Sequence, residues 1–141
     1  MAITQLSVFL DNKPGKLAEV LRLLKDKNIN MRALSLAETA DYGILRMIVA
    51  DVPAAENVLR ETSAVMRTAV TAVRMDDRAG ALYDMVSVLG NAGINIEYVY
   101  AFTSPVSGNA YVVLRTNDVE LCEKVLLENG IDTLSDNEME L

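Results

Sequence analysis

Residues 10–31 read LDNKPGKLAEVLRLLKDKNINM, and residues 75–96 read MDDRAGALYDMVSVLGNAGINI. The two stretches align without a gap at an offset of 65. Identities fall at Asp11/Asp76, Gly15/Gly80, Leu17/Leu82, Leu24/Leu89, Ile29/Ile94 and Asn30/Asn95, and most other apolar positions match in kind. Chance does not place a D-x-x-x-G-x-L opening and an I-N close at one spacing twice. The chain is an internal repeat, and that reading precedes every other. In each copy the stretch carries an amphipathic helix with apolar residues at i, i+3, i+4 and i+7. They are Leu17, Val20, Leu21 and Leu24 in the first copy, and Leu82, Met85, Val86 and Leu89 in the second.

The repeat extends in both directions. Upstream, Ile3 to Leu10 reads as a strand with Ile3, Leu6, Val8 and Leu10 facing inward. Downstream, Tyr42 to Asp51 parallels Gly108 to Asn117 at an offset of about 66, so the second copy has a longer loop, Thr103 to Gly108, rich in turn residues. Gly93 and Asn28 suit left-handed ends for the first helices. Second strands are expected over 30–37 and 95–102, and third strands over 43–49 and 110–114. The second helices start at Asp51-Val52-Pro53, with proline in the first turn, and at Asp118, a natural cap. Their apolar stripes are Ala55, Val58, Leu59 and Leu121, Cys122, Val125, Leu126. Gly130 stops the last helix, and Ile131 to Leu134 forms the last strand.

Each copy thus reads strand, helix, strand, strand, helix, strand. The fold class is α+β: two tandem ferredoxin-like βαββαβ domains, antiparallel sheets with helices on one face. The expected domains are 1–68 and 69–141. Residues 63–75 must hold both the last strand of one copy and the first of the next, which leaves no linker and predicts rigid coupling. Domains of about 70 residues are marginal alone, so the copies are expected to pack on each other or in a homodimer.

Composition excludes several functions. The chain has 141 residues, 51% of them hydrophobic, a mean hydropathy of +0.20 and a formal charge of −7. Without lysine and arginine clusters, neither nucleic acid nor an anionic membrane surface is an expected partner. No apolar run approaches the roughly 18 residues of a membrane span. Met1 to Gln5 carries no signal-peptide pattern, so a cytoplasmic protein is expected. There is no histidine and only one cysteine, Cys122, which reads as a small buried hydrophobe. Triads, histidine metal ligands and thiolate clusters are therefore absent, as are phosphate-binding glycine loops. Asp76-Asp77 is the best carboxylate pair and reads as solvated. The expectation is no enzyme, no metal and no cofactor.

The informative feature is the strand-to-helix turn, Asp11-Asn12-Lys13-Pro14-Gly15-Lys16-Leu17 and Asp76-Asp77-Arg78-Ala79-Gly80-Ala81-Leu82. The first amides of a helix lack internal partners and carry the positive end of its dipole. With glycine allowing close approach, such a turn can receive a carboxylate. Asn30 and Asn95, at the start of strand two, and Asp11 and Asp76 offer acceptors for an ammonium group. The same residues also suit a plain turn and cap.

These residues give the chain its resemblance to the ACT domain family. The first strand, Leu6-Ser7-Val8-Phe9-Leu10, runs into the Asp11–Leu17 turn and an amphipathic helix ending in Asn28-Ile29-Asn30. The second copy departs in having Ala79 where the family often has proline. The resemblance implies ferredoxin-like modules that bind amino acids between adjacent domains, touching the turn of one and the second strand of its neighbour. It implicates Asn12 to Leu17 with Asn30, and Asp77 to Leu82 with Asn95. The expected function is a non-catalytic amino-acid-binding regulator, acting in trans on a partner enzyme or transporter. The alternative is a subunit acting mainly by protein contact, since the first repeat also resembles the opening of acetolactate synthase small subunits. Tyr98, Tyr100 and Phe102 lie on one side of the second strand, with Tyr111 on the next, where the first copy has Arg32, Leu34 and Leu36 instead. They are expected to form a domain interface or a wall beside a ligand.

Overall fold

A computed structural model describes residues 2–104 and 106–139. The elements run β1 (Ile3–Asp11), α1 (Lys16–Asp26), β2 (Met31–Glu38), β3 (Tyr42–Val49), α2 (Val52–Leu59) and β4 (Ala64–Asp76). They continue with α3 (Ala81–Asn91), β5 (Ile96–Thr103), β6 (Asn109–Thr116), α4 (Val119–Glu128), β7 (Thr133–Leu134) and α5 (Asp136–Met139). The chain divides into two units, Thr4–Thr68 and the residues from Ala69 onward together with the N-terminal segment through Ile3. The division falls inside β4, a single 13-residue strand that ends one repeat and begins the next.

Each unit has the same strand order. In Thr4–Thr68 it is β2-β3-β1-β4, and in the second unit β7-β4-β6-β5. The pairs β1–β3, β2–β3, β4–β6, β4–β7 and β5–β6 are antiparallel. The fold is two βαββαβ repeats in the α+β class. In the first unit, Leu6 and Val8 of β1 and Leu45 and Met47 of β3 pack under Val20 and Leu24 of α1 and Ala55 and Leu59 of α2. In the second, Val73, Val112 and Leu114 pack under Met85, Leu89, Cys122 and Leu126. A fully buried leucine contributes roughly 1.5–3 kcal/mol, so these matched layers hold each unit together.

Helix boundaries follow the local chemistry. The Asp51 carboxylate accepts from the Ala54 amide at 3.1 Å and the Asp118 carboxylate from the Leu121 amide at 3.0 Å. Asn28, at φ 55°, and Gly93, at φ 77°, take the left-handed conformation that turns the chain out of α1 and α3. Gly130, at φ 69°, does the same after α4.

Several expectations need correction. The pleat puts alternate residues on opposite faces, so Ile3, though buried, shares its face with Gln5 and Ser7 rather than with Leu6 and Val8. Gln5 and Ser7 are buried too, and the Gln5 amide donates to the Ser7 hydroxyl at 3.1 Å. Leu82 is 41% exposed, and Ala81 fills the core position instead. Leu121 is also exposed. The last strand is only Thr133–Leu134, and the short helix α5 follows it.

The largest correction concerns register. Leu36 faces Leu45 across β2–β3, whereas Ala101 faces Val112 across β5–β6. Val8 pairs with Leu45 and Val73 with Val112. The third strands therefore match at an offset of 67, one more than the sequence alignment suggests. Tyr98, Tyr100 and Phe102 correspond to Ala33, Ser35 and Ala37, not to Arg32, Leu34 and Leu36. A slip of one residue moves every side chain to the other face. Phe102 meets Tyr111 edge-on at 5.3 Å between ring centroids.

Glu56 ties α2 to β4. Arg67 donates to both of its carboxylate oxygens at 3.0 Å, and Arg60 to one at 3.2 Å. The bonds from Arg67, then those from Arg60, hold the Glu56 carboxyl below its ordinary range. A lowered carboxylate stabilises the fold at neutral pH, and the contribution is lost as pH falls through the carboxylate range. Glu56→Gln is expected to flatten the acid limb of the stability curve, measured by urea unfolding between pH 3 and 7 (an experimental range of roughly these values). Leu45→Ala is expected to cost about 2–5 kcal/mol. Leu36→Ala, its cross-strand neighbour at an exposed position, is expected to cost about 0.5 kcal/mol or less in the same experiment.

Candidate functional site

In both repeats the first strand ends in an exposed aspartate, followed by a turn pinned to the β2–β3 or β5–β6 hairpin. The Asn12 amide donates to the Asp41 carbonyl at 3.2 Å, and its side-chain amide to Glu38 at 3.3 Å and the Thr39 carbonyl at 3.1 Å. In the second repeat the Asp77 amide donates to the Gly108 carbonyl at 2.8 Å. Gly15 and Gly80 then take φ of 87° and 89° as the caps of α1 and α3. Any other residue is strained there.

The helix starts differ in kind. Asp51 and Asp118 cap α2 and α4, but no side chain caps α1 or α3. Among the described residues, the amides of Leu17 and Ala18, and of Leu82 and Tyr83, have no backbone acceptor. Each of these two helix starts therefore offers free donors and a positive dipole end to solvent.

Around the turns the repeats diverge. Lys16 pairs with Glu19 at 3.6 Å along α1. In the second repeat Ala81 replaces the lysine, and Arg78 reaches from the turn to Asp84 at 3.0 Å and toward Asp76 at 3.8 Å. Lys13, Pro14 and Ala79 are exposed.

A cavity of about 240 Å³ lies within the first unit, lined by Phe9, Leu10 and Asp11 of β1, Lys16, Glu19 and Val20 of α1, Tyr42, and Thr62 to Ala64. A second, of about 460 Å³, lies within the other unit, lined by Arg74 to Asp76, Arg78, Ala81, Asp84, Met85, Asn109 and Gly130 to Asp132. The two correspond position for position along the first strand and first helix. Of the residues proposed from sequence, the cavities gather Asp11 and Lys16, and Asp76, Arg78 and Ala81. Asn12, Lys13, Pro14, Gly15 and Leu17, with Asp77, Ala79, Gly80 and Leu82, do not line them.

Asn30 and Asn95 are not near the turns of their own units, contrary to the sequence expectation. Asp11 pairs with Tyr42 at one end of β3, while the Asn30 carbonyl accepts from Ala50 beyond the other end at 2.9 Å. Because β2 runs parallel to β1 through the intervening β3, its first residue lies away from the end of β1. Asn95 is placed likewise, its amide donating to the Asn117 side chain at 3.0 Å. The repeated I-N close thus has a structural role at the far end of the hairpin.

Sequence reasoning passed over Phe9, Glu19, Tyr42, Thr62 and Ser63, and Arg74, Asp84, Asn109 and Asp132. The signal for Glu19 and Asp84 was available, because both sit one helical turn past a glycine cap. The residues before the last strand carried none.

The remaining chemistry is sparse. Cys122 is fully buried, and burial pushes its thiol up against smaller lowering from Thr116 and Thr71. A protonated buried thiol is not a nucleophile. No group of three or more metal-ligating side chains exists among the described residues. No helix among them is long and apolar enough to cross a membrane.

Comparison with known proteins agrees with this geometry. The crystal structure of protein BT0572 from Bacteroides thetaiotaomicron is 39% identical, with a TM-score of 0.93 over 100% of this chain and 98% of that one. The regulatory subunit of aspartate kinase from Thermus thermophilus, in its ligand-free form, shares the fold at 18% identity, with a TM-score of 0.61 over 89% of this chain and 91% of that one. No curated protein matches the sequence. A family model described as an ACT domain pair matches residues 1–141. The chain belongs to the ACT domain pair family.

Proposed function

We propose that this protein is a non-catalytic regulator that binds a free amino acid through the strand-to-helix turns of its two ACT repeats, 1–68 and 69–141. One observation carries the reading. The helices after the first strand of each repeat start on a left-handed glycine without a capping side chain, while the other long helices are capped by Asp51 and Asp118. At α2 and α4 an aspartate side chain takes an amide of the first turn, and at α1 and α3 no side chain does. A ligand carboxylate there gains about 0.3–2 kcal/mol from the dipole, and charge-assisted hydrogen bonds besides.

The ligand-binding residues are Asp11 to Leu17 and Asp76 to Leu82. Asn30 and Asn95 lie at the far ends of their own units, so their contribution is to the turn of an ACT domain in a second copy of the chain. The protein is in this reading a cytoplasmic homodimer whose output is a partner enzyme in trans. The ligand acts through its differential affinity for two states of that assembly.

A second reading is an assembly module that works mainly by protein contact. It is favoured by apolar side chains left open on the outer strands, Leu34 and Leu36 of β2 and Val99 of β5, which are 42–46% exposed.

Thermal unfolding against the twenty amino acids at millimolar concentration separates the two. A ligand of the native state stabilises it by about 2.7 kcal/mol at one hundred times Kd, a rise of several degrees. The regulator reading expects one amino acid, or a close group, to raise Tm, and Gly15→Ala or Gly80→Ala to reduce the rise measured from each variant's own baseline. No rise with any amino acid leaves the contact reading, in which a partner co-purifies without a ligand effect.

A further inference from the structure

The two cavities differ at one position in a way that decides what they hold. Phe9 lines the first, and the residue at the same place in β4 of the second repeat is Arg74. Arg74 keeps one unpaired donor beside two long ion pairs. Its Nε is buried and has no hydrogen-bond partner among the described residues. Its other nitrogens lie 3.9 Å from Asp132 and 3.6 Å from Glu138, beyond hydrogen-bond length. A guanidinium offers five donors in a planar fork matched to a carboxylate. Buried donors without a partner are few in folded proteins. Here one belongs to a residue lining a cavity of about 460 Å³, nearly twice the volume of its counterpart's 240 Å³.

We propose that Arg74 adds a cation for the ligand's carboxylate to the turn site of the second repeat, and that the first repeat, with Phe9 in its place, holds the same ligand more weakly. The proposal deepens the amino-acid-binding reading and rests on it. The fork takes the α-carboxylate of the ligand. Asp132, held beside it because the Arg74 amide donates to the Asp132 carbonyl at 3.0 Å, and Asp76 at the strand's end accept the ammonium group. Met75, Met85 and Ile131 supply apolar contact for a side chain. Arg78 stays on Asp84 and leaves Arg74 as the receiving cation. Binding is then asymmetric, with one Arg74-dependent site per chain.

The test uses the intact chain. Arginine Nε–H resonances are followed by NMR while each of the twenty L-amino acids is added, and then succinate, a carboxylate without an ammonium group. Arg74→Lys assigns the Arg74 signal. Calorimetry with the responding amino acid measures affinity and stoichiometry for the wild type, Arg74→Gln and Arg74→Lys, each checked by circular dichroism. The expected result is a shift of the Arg74 resonance, one tight site per chain, and an affinity at that site weakened at least about tenfold in Arg74→Gln and less in Arg74→Lys. An amino acid that binds with the Arg74 signal unmoved, or equally well to Arg74→Gln, overturns the proposal and leaves amino-acid binding standing. Two equal sites overturn the asymmetry. A shift with succinate alone upholds the carboxylate site and sinks the amino-acid reading. No shift with any probe, read on the wild type and so independent of how the variants fold, overturns the proposal.

Discussion

One strand belongs to two repeats, and the rest of the architecture follows from that. The chain has no residues between the last strand of the first βαββαβ unit and the first strand of the second, because Ala64–Asp76 serves as both. Its first part closes the β2-β3-β1 order of one unit and its second part opens the β6-β5 order of the other. Each unit is small, and each has a core assembled from matched positions, Val8 with Leu45 and Val73 with Val112.

The repeats share a frame and differ in chemistry. Glycine caps, open first turns and matched cavities occur twice, while the charges around them are rearranged. Lys16 holds Glu19 from within α1, and Arg78 holds Asp84 from outside α3. The aromatic set Tyr98, Tyr100 and Phe102 stands where the first repeat has Ala33, Ser35 and Ala37. The repeats share one plan of strand, turn and helix, and each is filled with different side chains.

Much of this was legible in the sequence, and the reasons are physical. Helix periodicity, left-handed Asn28 and Gly93, and the caps Asp51 and Asp118 are local signals, each depending on a few neighbouring residues. The repeat exposed the fold because a turn and a helix were spelled twice. What could not be read was set by pairing between distant strands. The loop before β6 is longer by two residues rather than one, and only cross-strand register reveals which face each side chain takes. The same limit applied to the site. Asn30 lies close to the turn in the order of elements but at the far end of its hairpin in space, and Arg74 meets Asp132 and Glu138 only through the folding of the C-terminal segment.

The outer strands carry one further mark. Between Met31 and Ala33 in β2, and between Ile96 and Tyr98 in β5, the register slips by one residue at the same place in both repeats. An extra residue there bends the strand and adds twist. Both strands also present apolar side chains, a combination that invites edge-to-edge stacking into fibrils. With Arg32 and Glu97 at the kinks, the flat run open to a foreign strand is cut short by a charged residue. A bulge of this kind is one of the ways an outer strand is kept from pairing with a foreign one.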